Sequence, residues 1–403
     1  MKIFIEKSKV EGIIEAPPSK SETHRALISA SLANGISKIS NISYSMDVKA
    51  TIECLMALGI KILCNKESVE VYGNNGKFSQ ENTTLNCNES GSTLRFLIPL
   101  CVIDNIERKL CGSSKLMSRP VLLYKNIFEK SNVKITKLEN ELLIKGKLKS
   151  GEYQVDGNVS SQFISGLLFA LPLLKGDSKI KINKSIESKS YINLTKKILK
   201  LYNINIFWEN ENTLFIKGNQ QYKSTNVEIE GDYSNAAFLD AFNLIGGKIT
   251  IKGLNDNTIQ GDKIYKKYFD IIQNNKKEKI DLSDCPDLAP VLFTLSAIKG
   301  NGYFINTNRL KLKESDRGKA MQMELKKCGI DTKILDNEII IKGKLEKPKT
   351  ILNGHNDHRI VMALSVLLSL TGGSIDGMEA INKSFPDFFY KLQNLGLKVK
   401  YDS

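Results

Sequence analysis

Ala16-Pro17-Pro18-Ser19-Lys20-Ser21-Glu22-Thr23-His24-Arg25-Ala26-Leu27 is the stretch on which the reading of this chain turns. Its two prolines end whatever precedes them, because each lacks an N–H and restricts the residue before it. Ser19, Ser21 and Thr23 are all N-cap types, and Ala26, Leu27, Ile28, Ala30, Leu32 and Ala33 continue as an apolar helix toward Gly35. Lys20 and Arg25 therefore fall at or near a helix start, where free N–H groups and the helix dipole favour anions. Taken alone, a capped helix with solvated bases is the better account. The recurrence of the arrangement down the chain turns it into a seat for a phosphate or carboxylate.

That recurrence has two parts. A polar loop, an apolar helix, a glycine or turn and a short strand appear at 19–42, 88–110 and 156–182, and again at 231–251, 284–305 and 356–375. An amphipathic helix, a strand, a polar turn and another strand follow each time, at 47–71, 120–144 and 191–216, then 261–280, 315–341 and 386–399. The closing strands ELLIKGKL (141–148), NTLFIKGN (212–219) and NEIIIKGK (337–344) are nearly interchangeable. A spacing of roughly 55 to 75 residues is too long for a simple solenoid. It predicts an α/β (α+β) chain of two domains, each built from three β-α-β-α-β-β units.

Helices 163–174 and 360–370 are apolar nearly all round, whereas strands such as 179–182 and 248–251 alternate Lys with Ile. The helices then belong inside and the strands outside, as inside-out, α/β-barrel-like domains whose helix starts converge on one end. The pattern softens only near Val227-Glu228-Ile229-Glu230-Gly231-Asp232. A strand at 2–5, with 12–14, precedes the first unit and is free to complete the last one. The expected domains are 1–17 plus 230–403, discontinuous, and 18–229, inserted. The chain would cross near 16–18 and 228–231, placing Lys20 beside a hinge.

The chain has 403 residues, 41% hydrophobic and 25% charged, as ordinary globular proteins do. No apolar run approaches the ~20 residues of a membrane span, and the N-terminus lacks a signal-peptide core. A cytoplasmic protein with no membrane partner is expected. Its seven cysteines lie far apart without metal-ligand spacing, and its three histidines are His24, His355 and His358. That argues for reduced thiols in or near the core and for no metal or other cofactor. The net charge of +14 suits either nucleic acid or anionic small molecules. Lysines interspersed with acids, without an Arg-rich tail or stacking aromatics, favour small anions.

The loop before each apolar helix carries the reactive polar residues: Lys20-Ser21…Arg25, Glu89-Ser90-Gly91-Ser92-Thr93-Leu94-Arg95, Ser160-Ser161-Gln162, Asp284-Cys285-Pro286-Asp287 and Asn356-Asp357-His358-Arg359. Other connections add Ser118-Arg119-Pro120, Lys311 to Arg317, and Lys383-Ser384-Phe385-Pro386. Gly91 and Ser92 allow a ligand close to backbone N–H groups. Each element alone also reads as a cap, a surface charge or an ion-pair cluster, and His358 beside Asp357 as a structural pair. Together, so many cations aimed at one cleft repel each other unless polyanions relieve them.

The set KSETHRAL (20–27), ESGSTLR (89–95), SRP (118–120), SSQF (160–163), PD (286–287), KLKESDR (311–317), NDHR (356–359) and KSFPDF (383–388) resembles the 3-phosphoshikimate 1-carboxyvinyltransferase (5-enolpyruvylshikimate-3-phosphate synthase) branch of the enolpyruvyl transferases. The motifs run in the family's order over essentially the whole chain. The resemblance implies two inside-out domains with the active site in the interdomain cleft, and transfer of the enolpyruvyl group of phosphoenolpyruvate to the 5-hydroxyl of shikimate 3-phosphate. It implies no cofactor, a monomer, and a target of glyphosate.

It also implies roles. Lys20, Ser21 and Arg25 match contacts to shikimate 3-phosphate, with Lys20 also touching phosphoenolpyruvate. Gly91 and Arg119 match phosphoenolpyruvate contacts. Ser160, Ser161 and Gln162 match the shikimate-phosphate loop, with Gln162 reaching both substrates, and Ser188 and Tyr191 match further contacts. Asp287 matches the proton acceptor at the attacking hydroxyl and Glu314 the proton donor, while Lys313 matches a shikimate contact. Arg317, Arg359 and Lys383 match the phosphoenolpyruvate clamp. Two departures stand out: Ser190 replaces a proline common in relatives, and Arg309 has no assigned role.

The chemistry suits these types. A carboxylate base by the hydroxyl, a second proton shuttle by the methylene, Arg forks on carboxylate and phosphate, and Lys20 at the leaving phosphate are what addition–elimination requires. Carboxylates among so many cations should titrate low, so Glu314 needs local burial to give up a proton. One rival is UDP-N-acetylglucosamine enolpyruvyltransferase, for which Cys111 is the only candidate reactive thiol and which KESDR and NDHR do not suit. A basic nucleic-acid-binding protein is the other.

Overall fold

The computed structural model describes residues 1–79 and 83–402. The chain divides into two compact units: Pro18–Glu230, and residues 1–17 together with the segment from Gly231 onward.

In the unit Pro18–Glu230, the helices Lys20–Leu32, Gly91–Leu100 and Ser161–Ala170 are buried almost from end to end. Gly91–Leu100 and Ser161–Ala170 are apolar on most sides and have little to offer water, whereas Lys20–Leu32 is buried together with its polar Thr23, His24 and Arg25. Each of the three is started by a serine. Ser19 accepts from Glu22 N (3.4 Å), Ser90 from Thr93 N (3.2 Å) and Ser160 from Gln162 N (3.3 Å). Around them lie three four-stranded sheets. The first orders Val227–Glu228, Asn34–Ser40, Ser68–Asn74, Lys61–Cys64; the second Thr83–Asn86, Arg108–Cys111, Glu141–Lys147, Asn132–Lys137; the third Glu152–Asp156, Ser178–Asn183, Thr213–Ile216, Ile206–Asn210. In each, the first pair is parallel and the other two are antiparallel. Equivalent cross-strand pairs face inward in all three: Ile39 with Val69, Leu110 with Leu142 and Ile180 with Leu214, every one fully buried. Gly73 lets its strand pass close to the end of the first helix, since a Cβ there would sit 2.4 Å from the Ala30 and Ala33 carbonyls.

The other unit buries the helices Tyr233–Asp240, Ala289–Lys299 and His358–Thr371. Two are capped by aspartate rather than serine: Asp232 accepts from Asn235 N (2.9 Å) and Asp357 from Arg359 N (3.0 Å). One sheet is complete, with Ile280–Asp281, Asn301–Ile305, Glu338–Gly343 and Ile330–Ile334. The second orders Leu352–Asn353, Gly373–Asp376, Lys2–Ile5 and Val399–Tyr401, so the strand at 2–5 does complete the last repeat. The third is only the parallel pair Lys248–Lys252 with Glu11–Glu15, so residues 12–14 join the repeat at 231–280 and not, as expected, the last one.

The threefold expectation therefore needs correcting in detail. The repeat at 231–280 has its helices but no closing hairpin. Gln273 and Ile280 are separated by Asn-Asn-Lys-Lys-Glu-Lys, which offers no apolar residue to bury in a strand. Ile280–Asp281 pairs instead with Asn301–Ile305 of the next repeat. The sheets also remain separate, sharing no ladder among the described residues, so neither unit is a closed barrel. Two strands are exchanged in sequence: Glu11–Glu15 leads into Lys20–Leu32 yet pairs with Lys248–Lys252, while Val227–Glu228 leads toward Tyr233–Asp240 yet pairs with Asn34–Ser40.

All seven cysteines are free thiols. Five are buried and Cys111 is half-buried, whereas Cys64 is exposed, against the expectation that all lie in or near the core. No helix among the described residues is long and apolar enough to cross a membrane.

Candidate active site

Within Pro18–Glu230, the polar starts of the repeated helices carry Lys20, Arg25 and Arg95, and the connection after Met117 adds Arg119. Lys20 opens its helix and its Nζ donates to Asp47 Oδ2 at 2.7 Å. Arg25, one turn on and 2% exposed, donates from Nε to Thr195 Oγ1 (2.7 Å), from Nη1 to the Ser21 carbonyl (2.7 Å) and from Nη2 to the Tyr191 carbonyl (3.2 Å). Its guanidinium also lies over the Phe96 ring, 5.0 Å from the centroid. Burial lowers the Arg25 pKa to about 10, which leaves it charged at neutral pH. Ser21 and Tyr191 thus meet at Arg25 through their backbones, and two of the five guanidinium N–H groups are left for a ligand.

Gly91 marks where the elements converge. A Cβ at that position would meet Arg119 Nη1 at 2.9 Å, Arg95 Nη1 at 3.2 Å and Gln162 Oε1 at 3.8 Å. Arg95 Nη1 donates to Gln162 Oε1, and Gln162 Nε2 donates to Ser92 Oγ at 2.9 Å. Gln162 is therefore oriented by two residues of the Gly91 helix, and the loops at 91, 119 and 160–162 share one place. Ser161, 5% exposed, opens the helix that Ser160 caps. Serine caps are neutral, so the positive ends of these helices keep their attraction for an added anion. Ser188 precedes the helix Lys189–Leu201 in the left-handed region, φ 56°, a conformation a non-glycine residue rarely adopts.

In the other unit a second set surrounds Asp287. Its Oδ1 receives Lys313 Nζ (3.0 Å) and Arg317 Nη1 (2.7 Å), and its Oδ2 lies 3.2 Å from Arg359 Nη2. Burial by itself would raise this carboxyl, but Arg359, Lys313 and Arg317 outweigh it and hold Asp287 well below the usual carboxylate range. Lys313 is lowered, first by burial and further by Arg309 and Arg317, with Asp287 opposing. Arg317, 1% exposed, binds three carboxylates at once: Asp287, Glu314 Oε2 through Nη2 (2.8 Å), and Asp357 Oδ2 through Nε (2.9 Å). Burial lowers its pKa, yet the three acids overcome this and raise it.

Sequence reading placed Arg317 in a phosphoenolpyruvate clamp. Most of its donors instead face protein carboxylates, and a single N–H remains for a ligand. Arg359 and Lys383 are also buried. The Arg359 guanidinium lies 5.7 Å from the Phe238 centroid, and Lys383 Nζ donates to the Asn356 carbonyl at 2.6 Å.

Asp357, read from the sequence only as a polar loop residue and a partner for His358, anchors the cluster instead. Fully buried, it caps its own helix, takes two N–H groups of Arg317 and accepts from Ser315 Oγ at 3.0 Å. His358 Nδ1 is 4.0 Å from its carboxylate, too far for the paired reading of those neighbours. Arg95, Asp47 and Thr195 were given no role, and Ser92 only that of letting a ligand near the backbone. Arg95 and Ser92 stood in plain view within ESGSTLR, whereas nothing in the sequence ties Asp47 to Lys20 or Thr195 to Arg25. Arg309 donates weakly to the Ser283 carbonyl at 3.4 Å. Among the described residues, no group of His, Cys, Asp or Glu is placed to hold a metal ion.

Cations at the starts of buried helices in one unit, and carboxylates held by one arginine in the other, suit an enzyme that acts on small anions. The chain belongs to the EPSP synthase (3-phosphoshikimate 1-carboxyvinyltransferase) family, whose model matches residues 5–392. Among curated relatives, the 3-phosphoshikimate 1-carboxyvinyltransferase of Clostridium novyi is 41% identical over 418 aligned positions, covering 96% of each chain. That of Clostridium perfringens is also 41% identical, covering 98% of each. The fold matches an EPSP synthase of Acinetobacter baumannii with a TM-score of 0.80 at 21% identity, over all of both chains. It also matches an enolpyruvyl transferase of Streptomyces tendae with a TM-score of 0.77 at 14% identity, over 100% of this chain and 98% of the other.

Proposed function

We infer that the protein moves the enolpyruvyl (carboxyvinyl) group of phosphoenolpyruvate onto the 5-hydroxyl of shikimate 3-phosphate, releasing phosphate, in aromatic amino-acid biosynthesis. The observation that supports this most is the agreement, over nearly its whole length, with curated relatives of that one activity. UDP-N-acetylglucosamine as acceptor, and nucleic-acid binding, find no support there.

The residue roles proposed are those that the family resemblance implies. Lys20, Ser21, Arg25, Ser160, Ser161, Gln162, Ser188 and Tyr191 bind shikimate 3-phosphate, with Lys313 and Asp287 at its ring hydroxyls. Lys20, Gly91, Arg119, Gln162, Arg317, Arg359 and Lys383 bind phosphoenolpyruvate. The 5-hydroxyl oxygen adds to C2 while its proton passes to Asp287, and C3 takes a proton from Glu314. In the resulting tetrahedral adduct, Glu314 removes a proton from C3 as the C2–O bond to phosphate breaks, and Lys20 neutralises the departing oxygen.

Asp287, held strongly ionised by three cations, is a weak base until the substrate hydroxyl displaces one of them. The enzyme works without a cofactor, as a cytoplasmic monomer, and glyphosate competes with phosphoenolpyruvate. Phosphate release from phosphoenolpyruvate, measured with shikimate 3-phosphate offered beside UDP-N-acetylglucosamine, tests the reading. Release driven only by the sugar nucleotide, or by neither acceptor, overturns it.

A further inference from the structure

Four buried polar side chains form an unbroken hydrogen-bonded line that the mechanism does not use. His24 Nδ1 lies 2.7 Å from Thr51 Oγ1, Thr51 Oγ1 lies 2.6 Å from Thr93 Oγ1, and Thr93 Oγ1 donates to Ser90 Oγ at 2.6 Å. All four residues are completely buried. The line crosses three helices, Lys20–Leu32, Met46–Ala57 and Gly91–Leu100. It ends on the serine that caps the Gly91 helix, since Ser90 Oγ also accepts from Thr93 N at 3.2 Å.

The geometry is a ladder. Lys20 and His24 are one turn apart on one helix, and Asp47 and Thr51 one turn apart on the next, so each pair shares a face. Lys20 meets Asp47 at 2.7 Å and His24 meets Thr51 at 2.7 Å, so the two helices run side by side with their starts at the same end. The third rung, from Thr51 to Thr93, ties the Gly91 helix to both. An imidazole and three hydroxyls withdrawn from water are unfavourable in a core unless each bond is made in register, which is what makes such a line specify one arrangement.

We propose that His24, Thr51, Thr93 and Ser90 are positioning residues for the phosphoenolpyruvate end of the site, locking the Lys20 helix against the Gly91 helix so that Lys20 and the Gly91 backbone meet one anion together. The proposal rests on the assignment of Lys20 and Gly91 above. The bond directions fix the histidine tautomer. Thr93 gives its only hydroxyl hydrogen to Ser90, so Thr51 donates to Thr93 and His24 donates from Nδ1–H to Thr51. Nε2, buried without a hydrogen-bond partner, keeps a lone pair rather than an unmatched N–H. Burial, then Lys20 and Arg25, lower the His24 pKa well below its ordinary value, so the relay stays neutral at working pH.

Thr51→Val removes the middle hydroxyl with little change of shape, and Thr51→Ser restores it. Thr51→Val is expected to raise KM for phosphoenolpyruvate on the order of tenfold, leave the dissociation constant of shikimate 3-phosphate unchanged, and recover in Thr51→Ser. In the wild type, the 15N shifts of His24 should report a proton on Nδ1 that does not titrate between mildly acidic and neutral pH. An unchanged KM in Thr51→Val, equal weakening of both substrates, no recovery in Thr51→Ser, or a titrating His24 overturns the proposal. Lys20→Met, run in parallel, separates the two ideas. If it retains turnover, the site assignment itself is wrong; if it is inactive while Thr51→Val is normal, only the relay is wrong.

Discussion

Arg317 Nη1 lies 2.7 Å from Asp287 Oδ1, and through Nη2 and Nε the same guanidinium holds Glu314 at 2.8 Å and Asp357 at 2.9 Å. One planar cation thus orients both carboxylates assigned to proton transfer and ties them to a fully buried anchor. Arg317→Ala strands Asp357, whose remaining partners are Ser315 and its own helix start. It should destabilise the protein by about 3–5 kcal/mol in chemical denaturation, the usual effect of unpairing a buried charge. Arg317→Lys should recover only part of this, because an ammonium cannot reach three carboxylates in one plane.

Lys20→Met is expected to lower kcat by at least two orders of magnitude, the scale on which a lost electrostatic contact to a leaving group acts. The fold should persist, because the side chain lies at a helix start and not in the core. Near-normal phosphate release would remove Lys20 from the site.

Glu314→Gln should suppress exchange of the C3 hydrogens of phosphoenolpyruvate with solvent far more than it weakens binding of either substrate. The carboxyl is only 22% exposed and sits on Arg317, so an amide fits the same space without carrying the proton. Exchange at the wild-type rate would take Glu314 out of the proton path.

Asp287 sets a pH dependence whose sign is fixed. Its folded pKa lies below its unfolded one because Arg359, Lys313 and Arg317 outweigh burial. Its contribution to stability is therefore complete above the ordinary aspartate value of about 3.9 and fades as pH falls through the lower folded value. The stability difference between wild type and Asp287→Asn, measured by urea denaturation, should be constant near neutrality and shrink below about pH 4. A difference that grows on acidification would contradict the three-cation environment.

Gly91→Ala should raise KM for phosphoenolpyruvate while leaving thermal stability nearly unchanged. The new methyl would stand 2.9 Å from Arg119 Nη1, the tip of a long side chain that shifts easily but no longer meets its ligand. An unaltered KM would mean that Arg119 does not contact that substrate.

Much of the fold was legible because a helix apolar on every side, repeated at a regular interval, has only one place to go. Ser19 as a helix cap, and the strand at 2–5 completing the last repeat, follow from that pattern. The missing hairpin after Gln273 was equally visible, in a run of Asn, Lys and Glu that cannot line a sheet, but the strength of the repeat hid it. The exchange of Glu11–Glu15 with Val227–Glu228 was not visible, since both are short extended segments that pair equally well with either neighbour. Site residues that stand on helix starts could be found by position. The attachment of Arg317 to Asp357, forty residues on, depends on two helix starts meeting in space, and no spacing rule carries that.

The sheet that joins Ile3 to Ile375 on one side and to Tyr401 on the other bears on how the protein is made. The strand Lys2–Ile5 cannot find either neighbour until the segment from Gly373 to Tyr401 has been made, whereas Pro18–Glu230 is contiguous and able to mature first. Loss of Val399–Tyr401 would therefore strip a ladder from Lys2–Ile5, nearly four hundred residues away in sequence.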